Sequence, residues 1–233
     1  MKNFRLFLAM IGVMMIVSSV FAAVSSKEEA LIHSAKGVLE DMNLAPDKER
    51  AMRLFENAIA IGIFPEMKKG GWFIGGMKGK GVILHKKINE EWSSPAFFKI
   101  HGGSLGFQAG IQEIDLILFF MTEESFQKFM NNYVNVGINV TASAGPFGRD
   151  ISYSPKDYRL KPGEAVYAYS RCKGLFAGIA ASGLKITFDS SSNNSYYGDD
   201  FTPMMIFEGK LVNQYPDSAR LLMEGINRLH QGK

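Results

Sequence analysis

An α+β domain is the fold class this sequence predicts, with helices at both ends of a glycine-rich antiparallel sheet that is strongly curved or barrel-like. Three observations carry that expectation. Apolar residues recur with a helical period near both ends of the chain. Between those ends the period falls to two. Glycine then recurs among aromatic and branched residues at 102–121 (GGSLGFQAGIQEIDLILFFM) and 169–178 (YSRCKGLFAG). That spacing suits crowded strands and not a catalytic loop.

The elements follow in order. Leu31, Ile32, Ala35, Val38, Leu39 and Met42 sit at i, i+3, i+4 and i+7, which predicts a helix over 27–42. Ala45-Pro46-Asp47 breaks it, and Asp47 can cap a second helix to about Ala60, with Met52, Phe55 and Ile59 on its apolar stripe. Gly62 and Pro65 end that helix. Short strands are expected over 71–76, 80–88 and 96–101, with a polar turn at Asn89-Glu90-Glu91. A further pair is expected over 103–111 and 114–121, the second apolar at nearly every position and so covered on both faces. Thr122 can cap a short helix whose first turn carries Glu123 and Glu124, with Phe126, Phe129 and Met130 on one side. Val134, Val136, Ile138 and Val140 alternate with polar or small residues as in a half-buried strand. Gly145-Pro146-Phe147-Gly148 turns the chain, 151–164 reads as loop, and 165–172 and 174–188 as two strands. Residues 190–200 are Ser, Asn, Tyr, Gly and Asp and read as an exposed loop. Asp217 can cap a last helix to about Leu229, built on Leu221, Leu222 and Ile226.

The chain has 233 residues and a formal net charge of +3. Lys2 and Arg5 precede an apolar stretch from Leu6 to Val20, about 15 residues and the length of a signal h-region. Cleavage is expected after Ala22 or Ala23, so 1–22 reads as an export signal and 23–233 as one domain. A retained anchor is the alternative, but a spanning helix needs roughly 20 residues. Loss of Lys2 and Arg5 takes the charge from +3 to +1, a poor balance for non-specific nucleic-acid binding. A lone cysteine, Cys172, excludes an internal disulfide. Sequons at Asn139-Val140-Thr141 and Asn193-Asn194-Ser195 carry meaning only in a eukaryotic source.

The segments IGIFPEMKKGGWFIGGMKGKG (61–81), GGSLGFQAGIQEIDLILFFMT (102–122), SAGPFGR (143–149) and YSRCKGLFAG (169–178) resemble the SYLF lipid-binding domain family, also called Ysc84-like. The resemblance covers roughly residues 30–230, and its exported single-domain bacterial type is the expected match. It implies lipid binding without catalysis or cofactor, with phosphoinositides as the ligand class of eukaryotic members. An exported chain without SH3 or FYVE neighbours does not meet cytoplasmic actin, so that family role is not carried over. The family's basic N-terminal helix is also altered. Residues 27–42 hold Lys27 and Lys36 against Glu28, Glu29, Glu40 and Asp41. An acidic face suits packing on the sheet better than anionic lipid.

Positive charge collects instead between Glu66 and Lys99, where seven lysines stand against three glutamates, leaving +4. Lys68, Lys69, Lys78 and Lys80 are candidates for headgroup binding, since each lysine near an anionic surface adds on the order of 1 kcal/mol. Lys78 and Lys80 flank Gly79 and face one way, with the backbone between them open to a phosphate. The alternative is a sheet edge guarded by lysines. Alternation puts Tyr167, Tyr169, Arg171 and Lys173 on one face, so Tyr169, Arg171 and Lys173 form a second candidate patch. Its alternative is two partly buried tyrosines with solvated cations. Arg149 follows the SAGPFG turn, and its alternative is a salt bridge with Asp150 or Glu113. His33, His85, His101 and His230 have no metal-ligand spacing. Glu113 and Asp115 can share a face as an acid/base pair, but solvated carboxylates fit a sheet turn better. Anionic phospholipid, phosphoinositide or a membrane surface is the expected partner, in the periplasm or outside the cell. An envelope protein bound by 190–200 and the terminal helices is the second reading.

Overall fold

The computed structural model describes residues 27–230 except 47, 72–74, 105–109, 133–137, 145–165, 173–174, 180, 199 and 211–215. The expected signal, Arg149, Lys173, the Asp47 cap and the 145–148 turn lie outside the described residues, as do the side chains of Lys69 and Cys172.

Two helices come first, α1 (27–44) and α2 (Lys48–Asn57). The α1 stripe is buried as its period predicts, from Ile32 through Ala35, Val38 and Leu39 to Met42. Four strands follow: β1 (Ala60–Gly71), β2 (Gly75–His85), β3 (Ala96–Ser104) and β4 (Gly110–Phe120). Helix α3 (Glu123–Asn132) is capped by Thr122, whose Oγ1 accepts the Ser125 N–H at 3.2 Å. Then come β5 (Ile138–Ala144), β6 (Val166–Cys172), β7 (Leu175–Ile179) and β8 (Ala181–Phe188). Helices α4 (Ser190–Tyr197), α5 (Pro203–Phe207) and α6 (Asp217–His230) close the order.

All strands join one sheet in the order β4-β1-β2-β3-β8-β5-β6-β7, and β4 pairs with β6 as well. The sheet therefore curls until distant members of the order meet. Every pairing is antiparallel except a short parallel contact between β5 and β6. The curved α+β expectation holds. Two glycines show how tightly the strands meet. A Cβ on Gly81 would lie 2.2 Å from the Ile63 carbonyl oxygen, and one on Gly79 would lie 2.7 Å from Met67 Cγ. Gly79 is thus packed against Met67, which corrects its reading as backbone open to a phosphate.

Strand alternation sends side chains to two cores. One holds Ile61, Ile63, Val82, Leu84, Phe97, Ile117, Phe119, Tyr167 and Tyr169 beneath α1, α2 and α6. The other holds Phe64, Ile83, Phe98, Leu116, Leu118 and Phe120 against Phe126, Phe129, Ile206 and Phe207. Ile114 to Met121 is buried throughout, as its unbroken apolar run predicts.

Five expectations change. The segment from Ala60 to Gly71 is a strand, not a helix end. Gly62 and Pro65 read as breakers, but Gly62 lets the Phe64 ring approach, and Pro65 sits where the register shifts between Phe64 and Met67. Residues 96–104 form one strand, and 174–188 divides into β7 and β8. The 190–200 loop is mostly helix α4, capped by the Asp189 side chain and ended by Gly198 in the left-handed region. Its Asn193 is fully buried and bonded to Phe97 and Asp189, so that sequon is closed to glycosylation in the fold. On α6, Ala219 joins Leu222 and Ile226 in the core, while Leu221 is half-exposed.

Candidate functional site

The helices cover only part of their sheet face. On β2, Val82 and Leu84 point into the helical core, so Lys78 and Lys80 share that face further along the strand. The register extends this across four strands. Lys68 on β1 is opposite Lys78 on β2, Lys78 is opposite His101 on β3, and His101 is opposite Lys185 on β8. All four are exposed. None of these four side chains has an ion-pair or hydrogen-bond partner among the described residues. Glu113 on β4 is opposite Lys68 and ends the row.

A second row lies one pleat nearer the helices, where Lys80 is opposite Lys99. Here the repulsion is answered from within. Asp189, 1% exposed, accepts from Lys80 Nζ and from Lys99 Nζ, both at 2.8 Å. Ser192 also donates to Asp189, at 3.0 Å from its hydroxyl. Burial pushes the Asp189 carboxyl up, but the hydrogen bonds from Lys80, Lys99 and Ser192 outweigh it and hold its pKa below the ordinary value. The same residue caps α4, so this ion triad fixes the helix to β2 and β3.

At the far side of the face, Arg171 on β6 is opposite Asp115 on β4. Asp115 Oδ2 accepts from Arg171 Nε at 2.7 Å and Nη2 at 2.6 Å, and Arg171 also pairs with Asp41 on α1. Burial opposes the charged guanidinium, but Asp115 and then Asp41 outweigh it and raise its pKa. Asp115 Oδ1 accepts the Glu66 N–H at 2.9 Å, holding the β1 irregularity where Glu66 has φ 50°. These residues, with Ser34, Gly37 and Glu113, line a cleft of about 380 Å³ between α1 and the sheet.

The structure thus divides the sequence candidates. Lys68 and Lys78 stand together in the open row, with Lys80 beside them but paired to Asp189. Tyr169 is 1% exposed in the helical core, which corrects its reading as a headgroup contact, since no surface ligand reaches it in this fold. Arg171 is tied to two carboxylates and fastens α1 to the sheet. Asp115 is buried within β4 and paired to Arg171, which corrects its reading as a solvated carboxylate at a turn. His101, Lys185 and Asp189 were missed as site residues. Alternation places each on a face, but no local signal tells which strands lie beside β2. Among the described residues, no group of three or more His, Cys, Asp or Glu is placed to hold a metal ion, and no helix is long and apolar enough to cross a membrane.

Comparison with known proteins adds an independent finding. The family model Ysc84, described as "Las17-binding protein actin regulator", matches residues 101–229. The protein named YSC84 from Saccharomyces cerevisiae is 33% identical over 144 residues, 61% of this chain and 31% of that protein. The SH3 domain-containing YSC84-like protein 1 of Xenopus laevis is 29% identical over 181 residues, 77% of this chain and 52% of that protein. The Homo sapiens protein of the same name is 26% identical over 165 residues, 70% of this chain and 47% of that protein. The chain therefore spans about a third to a half of these relatives. No solved structure matches. These descriptions overturn the expectation that leaves actin out: the family is described by actin regulation, and a yeast relative is named LAS seventeen-binding protein 3.

Proposed function

The chain belongs to the Ysc84 family, and we propose that within it this protein is an exported, non-enzymatic lipid-binding protein that meets anionic headgroups on the open part of its sheet face. One observation carries the reading: Lys68, Lys78, His101 and Lys185 are direct cross-strand neighbours that form no ion pair among the described residues, with Glu113 opposite Lys68 as the one carboxylate at the end of the row. Lys68 and Lys78 set like charges directly opposite, which destabilises a sheet. An anionic ligand removes that cost and gains on the order of 1 kcal/mol from each lysine at the surface. The polar row adjoins a helix layer that keeps the apolar core covered, so the contact is with headgroups. Lys80 and Lys99 add to the field from beside the row. Lys69, Arg149 and Lys173 are further candidates on sequence grounds. Export rests on Lys2, Arg5 and the apolar stretch from Leu6 to Val20.

Vesicle co-sedimentation tests this. The protein is expected to pellet with anionic vesicles and stay in solution with neutral ones. Equal pelleting with both removes the headgroup claim. No pelleting with either, and no lipid extracted from purified protein, removes lipid binding.

A second reading, binding to a protein of the actin-regulating machinery, is favoured by the matched family's description, which covers residues 101–229. Co-sedimentation with filamentous actin in the absence of lipid tests it.

A further inference from the structure

We propose that His85 makes one helical cover of the sheet acid-sensitive: α3 and α5 hold to the sheet while the imidazole is neutral and loosen when it takes up a proton. The strand sets this up. Val82 and Leu84 on β2 face the core beneath α1, α2 and α6, so Ile83 and His85 face the core beneath α3 and α5. There the His85 ring stacks on Phe126 of α3, with centroids 4.3 Å apart and an interplanar angle of 8°. It also lies 6.2 Å from the Phe207 ring of α5. Phe126 and Phe207 pack on each other at 5.5 Å and share their core with Phe120 and Phe129. His85 is thus the polar member of an aromatic cluster that joins both helices to the sheet. Its Nε2 is buried there without a hydrogen-bond partner among the described residues.

A neutral imidazole suits that position better than an imidazolium, which makes both ring nitrogens donors and takes a full charge out of water. Glu123 Oε2 lies 3.5 Å from Nε2 and draws the cation. That attraction is weakened in two ways. The Glu123 side chain is 58% exposed, so water screens it. Its other carboxylate oxygen already accepts from Gln127 at 2.7 Å. Among the described residues no other charge is in ion-pair range of the imidazole. Glu124 on α3 pairs with Lys128, and Glu208 beside α5 pairs with Lys210. Lys86 lies over Trp92 on the opposite face of β2 and pairs with Glu90. Burial therefore outweighs Glu123 and holds the His85 pKa below its ordinary 6.5. Once α3 opens, the imidazole titrates in water near its ordinary value, whereas the closed form takes the proton only at lower pH. The stability that His85 contributes is present above about 6.5 and is lost as pH falls through the lower closed-state value. What acid uncovers is apolar, the surface of Phe120, Phe126 and Phe207.

Hydrogen–deuterium exchange of the intact protein at about pH 7.5 and about pH 5, corrected for intrinsic amide rates, tests this. Protection of α3 and α5 is expected to fall about threefold or more in acid, while that of α1 holds. His85→Phe keeps an aromatic ring against Phe126 and removes the titration, so its protection is expected to change by less than about 1.5-fold. Glu123→Gln removes the one carboxylate beside the imidazole, and its loss of protection in acid is expected to be larger. Equal protection of α3 at both pH values overturns the proposal. Tighter protection in acid also overturns it, because Glu123 then outweighs burial. A fall of the same size in α1, or in His85→Phe, overturns it too, because another group then titrates. Where His85→Phe does not fold, proton NMR of the His85 ring in the unaltered protein decides. A titration midpoint below 6.5 supports the proposal, and one at or above 6.5 overturns it.

Discussion

Arg171 shows how one side chain settles what its neighbours do. Its guanidinium joins β6 to Asp115 on β4 and to Asp41 on α1. Arg171→Ala leaves Asp115 with only the Glu66 N–H and releases α1 from the sheet edge. Because Arg171 is a quarter exposed, the loss is smaller than for a fully buried pair, about 1–3 kcal/mol in urea unfolding. Arg171→Lys keeps the charge but cannot hold both carboxylates with one planar fork, so about half of that loss is expected. Asp189 behaves differently because its value depends on ionisation. Its pKa in the fold lies below the ordinary carboxyl value. Its contribution is therefore present above an unfolded value of about 4 and is lost as pH falls through the lower folded value. Asp189→Asn is expected to cost about 2 kcal/mol or more at neutral pH, since charged hydrogen bonds are removed and Lys80 still faces Lys99. The gap from the unaltered protein narrows as the pH is taken below the lowered Asp189 value. Unfolding curves at the two pH values measure it, and a gap that stays constant counts against the triad.

At the level of elements, the glycines do unlike work on a helix and on a strand. Gly37 lies within α1 beside the Arg171 cleft, and nothing lies within 4 Å of where its Cβ would stand. Gly37→Ala is expected to stabilise the protein by about 0.5–1 kcal/mol through helix propensity. Gly81 lies where β2 crosses the irregular part of β1, with the Ile63 carbonyl oxygen and the Phe64 ring in the way of any side chain. Gly81→Ala forces backbone to move and is expected to cost about 3 kcal/mol or more. Thermal unfolding of the two variants gives opposite signs if this account holds. The same contrast explains how much of each element was legible. The helical stripe of α1 and the apolar run of β4 read correctly because burial repeats with the local period, whereas the α2 reading ran too far: the helix ends at Asn57, and Ile59 packs in the other core. β1 was misread because Gly62 and Pro65 break helices and also mark irregular strands, and only the neighbouring β2 and β4 select the second meaning. α4 was missed because its polar residues carry no stripe. Asp189, Ser192 and Asn193 hold it to β3 with hydrogen bonds instead.

For the molecule as a whole, charge placement matters more than net charge. A balance of +3 over 233 residues predicts little attraction to any surface. The sheet concentrates lysines from four strands on one face, and exposed charges of that kind act over a Debye length of about 8–10 Å in physiological salt. Binding to anionic vesicles is therefore expected to weaken about tenfold or more when salt rises from about 50 mM to about 500 mM. Co-sedimentation across a salt series checks it, and salt-independent binding points to an apolar contact.

The sequence by itself determined the α+β class, the buried stripe of α1, the covered strand from Ile114 to Met121 and the family. These rest on period, composition and motif order, which are local or linear properties. It also marked Lys68 and Lys78 as cations on strands. Only the tertiary structure decided that Tyr169 is core, that Arg171 and Lys80 are answered by carboxylates, and that His101 and Lys185 complete a row with Lys68 and Lys78. Those outcomes depend on which strands pair and in what register. Several of the deciding contacts join residues more than a hundred positions apart, such as Lys80 with Asp189 and Arg171 with Asp41, and no short window of sequence contains both partners.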